Sequence, residues 1–179
     1  PIKIEDNLAN LIKKLSIVMA YYNRKEQLIE TIKSIKKTSY KNIELIIVDD
    51  NSDETEKVES FIETVKDGLD ITVITINKEQ KTWINPCIPY NIGINAAKGD
   101  IIILQNPEIM HVYDCISFVN DNLKPHDWLT LNCYGSPSFK YNNVLYSLDD
   151  NDKFNIIDKN MDLEEYLKMS IGERETYIG

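Results

Sequence analysis

The segment LSIVMAYYNRKEQLIETIKSIKKTSYKNIELIIVDDNSDE, residues 15–54, holds two continuous apolar runs with an amphipathic stretch between them. The run LSIVMA (15–20) contains β-branched residues and lacks regular polar alternation, the mark of a strand buried on both faces. Residues 24–37 set Leu28, Ile29, Ile32 and Ile35 on one stripe, which predicts a helix. IELIIV (43–48) predicts a second buried strand, and it runs directly into Asp49, Asp50, Asn51, Ser52 and Asp53. Strand, helix and strand in this order predict parallel strands joined by a crossover helix.

The alternation continues outward. Val58, Phe61, Ile62 and Val65 predict another helix, and DITVITI (70–76) a third strand. Residues 77–86 read as a polar loop and 89–98 as a helix, with Pro89 in its first turn and Gly99 as its stop. Asp100 to Leu104 predicts a fourth buried strand, leaving through Gln105, Asn106, Pro107 and Glu108. A helix from about Asp114 to Asn122 follows, then a strand at Trp128–Cys133. Leu8, Leu11 and Ile12 predict a short leading helix over 5–14. The tail predicts a hairpin-like stretch near 144–149, a turn-rich NDKFN loop and a helix at 162–170. The expected class is α/β, a mostly parallel sheet sandwiched by helices.

Bulk properties bound the function. A chain of 179 residues, 42% apolar and 27% charged, suits one soluble domain, and no repeat or low-complexity linker divides 1–179. A net charge of −9 repels nucleic acid and anionic membranes, so neither is an expected partner; a local basic patch can still hold a phosphorylated small molecule. No apolar run approaches a membrane span, and PIKIEDNLAN lacks a signal-peptide pattern, so direct membrane insertion is not expected. Cys87, Cys115 and Cys133 are odd in number and widely spaced, which argues against zinc and for reduced thiols in the cytoplasm or another reducing compartment. Arginine occurs only at Arg24 and Arg174. The start at Pro1 and the stop after ERETY read as a fragment cut from a longer protein.

In an open parallel sheet ligands bind at the carboxyl ends of the strands, where strand order reverses. Those ends carry Ala20, Tyr21, Tyr22 and Asn23; Asp49 to Asp53; and Gln105 to Glu108. IVMAYYNR followed by LIIVDDNSDE resembles the opening of family 2 glycosyltransferases, and YNIGINAAKGDIIIL resembles the segment that precedes their metal-binding DxD motif. The resemblance covers roughly residues 15–118. It implies a GT-A (Rossmann-like) fold and a single nucleotide-sugar-binding domain whose acceptor region is incomplete.

Carried over residue by residue, the resemblance implies that Tyr22 stacks on a uracil ring and that Asp50 accepts the uracil N3 proton. It implies that Asp49 orients the strand end, that Asn91 matches the segment before the fourth strand, and that Gly93 and Gly99 sit where backbone approaches closely or turns. Ala20, Asn23 and Asn106 complete the expected nucleotide contacts. The chemistry is sensible on its own terms: uracil offers one N–H between two carbonyls, which suits a buried carboxylate beside an aromatic face. The structural alternative for DDNSDE is a helix cap, with Ser52 or Asp53 as N-cap; for Tyr22 it is a half-buried loop aromatic.

One departure matters. Counted from Gly99, the two metal-motif aspartates fall on Asn106 and Glu108, so Asn-Pro-Glu replaces Asp-x-Asp. A divalent ion wants hard, charged oxygens, and Asn106 offers only an amide. Mn2+ or Mg2+ is therefore expected to bind weakly or only with the donor. The alternative for Asn-Pro-Glu is a turn opening a helix. His111, three residues past Glu108, is either a further contact to metal or phosphate or a surface histidine. Lys81 and Trp83 either reach the ligand or lie in a solvated loop; His126 is a loop residue, and Trp128 is expected in the core.

The implied reaction is inverting transfer of a sugar from a UDP-sugar to an acceptor hydroxyl on a saccharide, protein or lipid. It needs a neutralised diphosphate, an aligned hydroxyl and a carboxylate base. Asp149, Asp150, Glu164, Glu165, Glu173 and Glu175 are base candidates by type alone. The rival reading is a non-catalytic GT-A-like binding or scaffold module with a degenerate metal motif. A nucleotidyltransferase ranks third, because AYYNRKE has no glycine where a phosphate loop would be.

Overall fold

Strand β1 (Leu15–Tyr21) lies in the middle of a four-stranded parallel sheet, beside β2 (Ile43–Asp49) on one side and β4 (Ile101–Leu104) on the other. Strand β3 (Asp70–Thr75) extends the sheet beyond β2, giving the order β3-β2-β1-β4. Register runs Leu15↔Ile43 through Tyr21↔Asp49 between β1 and β2, and Leu15↔Ile101 through Val18↔Leu104 between β1 and β4. The structure is a computed structural model; it describes residues 13–111 and 113–131, and the backbone of 147–148 and 154–155. The chain divides into two compact units, 1–125 and 126–179.

Period-two alternation splits β1 and β2 between two cores. Leu15, Ile17, Met19 and Tyr21, with Leu45 and Ile47, face α1 (Lys25–Lys36) and α3 (Cys115–Asn122). Val18, Ile46 and Val48 face the opposite side, where Trp83, Tyr90 and Ile92 cover them from α2 (Cys87–Ala96) and the loop before it. Helices therefore sandwich the sheet, as the apolar runs predict. Helix α1 buries Leu28, Ile32 and Ile35 completely, each worth about 2 kcal/mol of transfer free energy.

Two glycines let the layers close. A Cβ on Gly93 would sit 2.4 Å from Val18 Cγ1, so α2 lies on β1 only with glycine there. A Cβ on Gly99 would sit 2.7 Å from the Lys14 carbonyl oxygen. Below the sheet, Glu44 accepts hydrogen bonds from the Ser16 hydroxyl (2.6 Å) and the Lys98 N–H (2.7 Å) and pairs with Lys14 (2.7 Å). Burial pushes its carboxyl up, but Lys14, Ser16 and Lys98 together outweigh that and hold it below the usual range.

Several sequence expectations need correction. Residues 58–65 form two 3-10 turns, Val58–Ser60 and Ile62–Thr64, instead of an α-helix. The stretch is too short to propagate, and an i, i+3 ladder buries Val58, Phe61 and Ile62 equally well. Strand β4 is half exposed, with Ile102 and Leu104 open; it is last in the order of the described strands of this sheet, and α2 covers β1 and β2. Residues 128–131 form no strand, and Trp128 is 87% exposed instead of core. The hairpin expected near 144–149 is met only in part: β5 (Ser147–Leu148) pairs antiparallel with β6 (Phe154–Asn155), so its second strand lies at the end of NDKFN, a stretch expected to be loop. The helices expected at 5–14 and 162–170 lie outside the described residues, apart from 13–14, which are not helical. Among the described residues no helix is long and apolar enough to cross a membrane.

Candidate functional site

Strand β2 delivers two adjacent aspartates to opposite faces. Asp49 is fully buried on the α1 side and accepts the N–H groups of Ser52 (3.0 Å) and Val58 (2.9 Å). Its carboxylate thereby ties down the loop that follows the strand. Asp50 is 8% exposed on the α2 side. Its Oδ2 pairs with Lys81 Nζ at 2.9 Å, and its Oδ1 accepts from Trp83 Nε1 at 3.2 Å. Lys81 also donates to the Asp50 carbonyl and stands 5.0 Å from the centroid of the Tyr22 ring. One ammonium thus joins the carboxylate at 50 to the ring at 22, and Tyr22 is 51% exposed. Lys81 and Trp83 belong to this cluster and are not merely a solvated loop.

The exit of β1 is tied to that of β2. Asn23 takes a left-handed φ of 47°, which asparagine tolerates. Its amide donates to Asp53 Oδ2 (2.8 Å) and accepts the Asp53 N–H (2.9 Å), while its own N–H donates to Ser52 Oγ. The side chain expected to touch a nucleotide is committed to holding two loops together. Neither Ser52 nor Asp53 caps an α-helix, since none follows them. The next residue, Arg24, reaches across to Glu108 at 2.8 Å.

The exit of β4 is fixed from several sides. Thr31 of α1 donates to the Pro107 carbonyl (2.8 Å), and Gln105 donates to the Ile109 carbonyl (2.8 Å). His111 Nε2 meets Gln105 Oε1 at 2.7 Å, and its backbone N–H donates to Ser34 Oγ. The amide oxygen of Gln105 can only accept, so the imidazole Nε2 is the donor in this contact. Burial pushes the His111 pKa down to about 4. His111 is neither a surface histidine nor a free ligand beside Glu108.

Tyr90 is a site residue that the sequence did not single out. Its hydroxyl donates its one proton to Asn106 Oδ1 (2.7 Å), with the Gln105 carbonyl 3.0 Å away as the alternative acceptor, and faces the backbone of Ala20, linking the exits of β1 and β4. Burial, with the Glu108 charge, pushes this phenol up. Its neighbour Asn91 is exposed on α2. The available signal for Tyr90 was its place beside Asn91; for Arg24 it was arginine in a lysine-rich chain.

Asn106 and Glu108, the residues expected to hold a cation, are each engaged with another side chain. The Asn106 oxygen accepts from Tyr90, the Glu108 carboxylate is paired with Arg24, and no group of three His, Cys, Asp or Glu among the described residues is placed to hold a metal. A divalent ion would have to displace a guanidinium and bring most of its oxygen ligands with it.

The sequence model of the family described as Glycosyl transferase family 2 matches residues 16–163. The amylovoran biosynthesis glycosyltransferase AmsB of Erwinia amylovora is 33% identical over 49% of this chain and 28% of its own length. The poly(ribitol-phosphate) beta-N-acetylglucosaminyltransferase TarP of Staphylococcus aureus is 29% identical over 56% of this chain and 30% of its own. The chain therefore spans less than a third of these relatives. Among solved structures, the mannosyltransferase PcManGT from Pyrobaculum calidifontis, in complex with GDP-Man and Mn2+, superposes with a TM-score of 0.54 at 16% identity. That match covers 65% of this chain and 34% of that one, and it speaks to the fold alone.

Proposed function

The chain belongs to glycosyl transferase family 2, and from this we propose that it is the donor-binding part of an enzyme that moves a sugar from a UDP-sugar to an acceptor hydroxyl, with inversion at the anomeric carbon. The observation that carries the reading is the Asp50–Lys81–Trp83 cluster beside the exposed ring of Tyr22. Uracil presents acceptor, donor, acceptor along one edge. Asp50 can take the N3 proton with its remaining lone pairs, Lys81 can donate to a flanking carbonyl, and Tyr22 offers its open face for stacking.

Asp49 and Asn23 serve this pocket indirectly by fixing the loops that frame it. Ala20 and Asn106, linked through Tyr90, floor the crevice between the exits of β1 and β4, where strand order reverses. Glu108 and Asn106 alone are a poor cation cage, so any role of Mn2+ or Mg2+ is weak or donor-dependent. The base that takes the acceptor proton is assigned to the later part of the fold; the acidic candidates from Asp149 onward lie outside the described side chains.

Calorimetry with UDP, CDP and GDP tests the reading. UDP should bind at least tenfold more tightly than the other two, and equal affinities would end it. A second reading, a non-catalytic binding module, is favoured by the Arg24 pairing that occupies the one acidic side chain of Asn-Pro-Glu. Release of UDP from any UDP-sugar above the uncatalysed rate would dismiss that module.

A further inference from the structure

Between the exits of β1 and β4 a guanidinium, paired with Glu108, stands where a divalent ion would be looked for. We propose that Arg24 binds the donor diphosphate in place of a metal ion, with Glu108 as its positioning residue. The proposal rests on the donor reading above, since the base pocket is what brings a diphosphate to this crevice.

Three observations converge. First, the pair stands at the topological switch point: Arg24 follows β1, Glu108 follows β4, and these strands are neighbours at the place where the order reverses. Second, the oxygens nearest to a cation position are each engaged within the fold. The Asn106 oxygen accepts from Tyr90, the Pro107 carbonyl accepts from Thr31, and the Gln105–His111–Ser34 bonds pin the loop that carries them. Third, the guanidinium side chain is 49% exposed while Glu108 is 25% exposed, and the ion pair uses Nη1. A guanidinium carries five N–H donors in a planar fork, so one edge can rest on the carboxylate while another meets phosphate oxygens.

The electrostatics are asymmetric in a useful way. With Arg24 present, Glu108 holds the cation in place. With Arg24 absent, the same carboxylate repels a diphosphate. Removing both charges should therefore do less harm than removing the arginine alone, whereas a metal-ligand role for Glu108 predicts that removing it only adds damage.

The test is calorimetry on the 179-residue chain with uridine, UDP and inorganic pyrophosphate, each in EDTA and with Mn2+. In EDTA, UDP should bind more tightly than uridine, and Mn2+ should change its affinity less than about threefold. Arg24→Ala should weaken UDP and pyrophosphate roughly ten- to hundredfold and leave uridine unchanged. Arg24→Lys should recover part of the loss, and so should Glu108→Ala in the Arg24→Ala background. The proposal is overturned if UDP gains over uridine only with Mn2+, if that gain survives Arg24→Ala, or if Glu108→Ala deepens the Arg24→Ala defect. Pyrophosphate binding through Arg24 without uridine binding would sink the base-pocket reading and leave Arg24 standing. No binding of any of the three ligands would remove both.

Discussion

Asp49 and Asp50 are chemically identical neighbours with opposite fates, because a strand sends successive side chains to opposite faces. Asp49→Ala orphans two N–H groups beneath the loop and should cost roughly 2–4 kcal/mol, read from urea denaturation. Asp50→Ala strands the Lys81 ammonium and the Trp83 N–H, so it should cost about 1–2 kcal/mol, less than Asp49→Ala, and weaken UDP about tenfold or more; a stability loss matching that of Asp49→Ala would contradict this division of labour. His111 titrates lower in the fold than when unfolded, so the unfolded chain binds the extra proton. Its contribution to stability is complete above about pH 6.5 and is lost as pH falls toward about 4. His111→Gln should flatten the pH dependence of stability in that window. Glu44, also held low, gives its stability above its ordinary value of 4.5 and loses it as pH falls below that through the lower folded value. Glu44→Gln should soften acid unfolding below about pH 4.5.

At the scale of elements, the helices are placed by what the sheet presents. Helix α2 meets β1 through Gly93, and Gly93→Ala should cost about 1–3 kcal/mol as Val18 is pushed aside; an unchanged melting temperature would show that the contact yields easily. Helix α1 does two jobs. Its apolar stripe buries Leu28, Ile32 and Ile35, and its buried polar residues Thr31 and Ser34 hold the segment after β4. The stripe was legible because burial repeats every 3.6 residues. The polar pair was not, since a threonine and a serine on a helix give no sign of which distant backbone groups they will meet. The same limit explains residues 58–65, where the buried positions were read correctly and the helix type was not: apolar spacing of three and four serves both ladders.

On the scale of the whole molecule, the chain carries a net charge of −9 but gathers Arg24 and Lys81 at the carboxyl edge of the sheet. Cationic groups in an acidic background focus attraction for a small anion without attracting nucleic acid. UDP affinity should therefore fall with added salt in the wild type, and the slope should be shallower in Arg24→Ala. Identical slopes would mean that this charge does not face the ligand.

Alone, the sequence determined the parallel α/β architecture, the sandwiching helices and the strand ends at which a site would sit. These follow from periodicity and residue size, which are local properties of the chain. Only the tertiary structure decided that Asn23 clamps loops, that His111 bonds to Gln105 and Ser34, that Tyr90 links β1 to β4, and that Glu108 faces a guanidinium. A polar side chain takes its meaning from the partner it finds, and each of these partners comes from a different segment, brought near only when the sheet assembles.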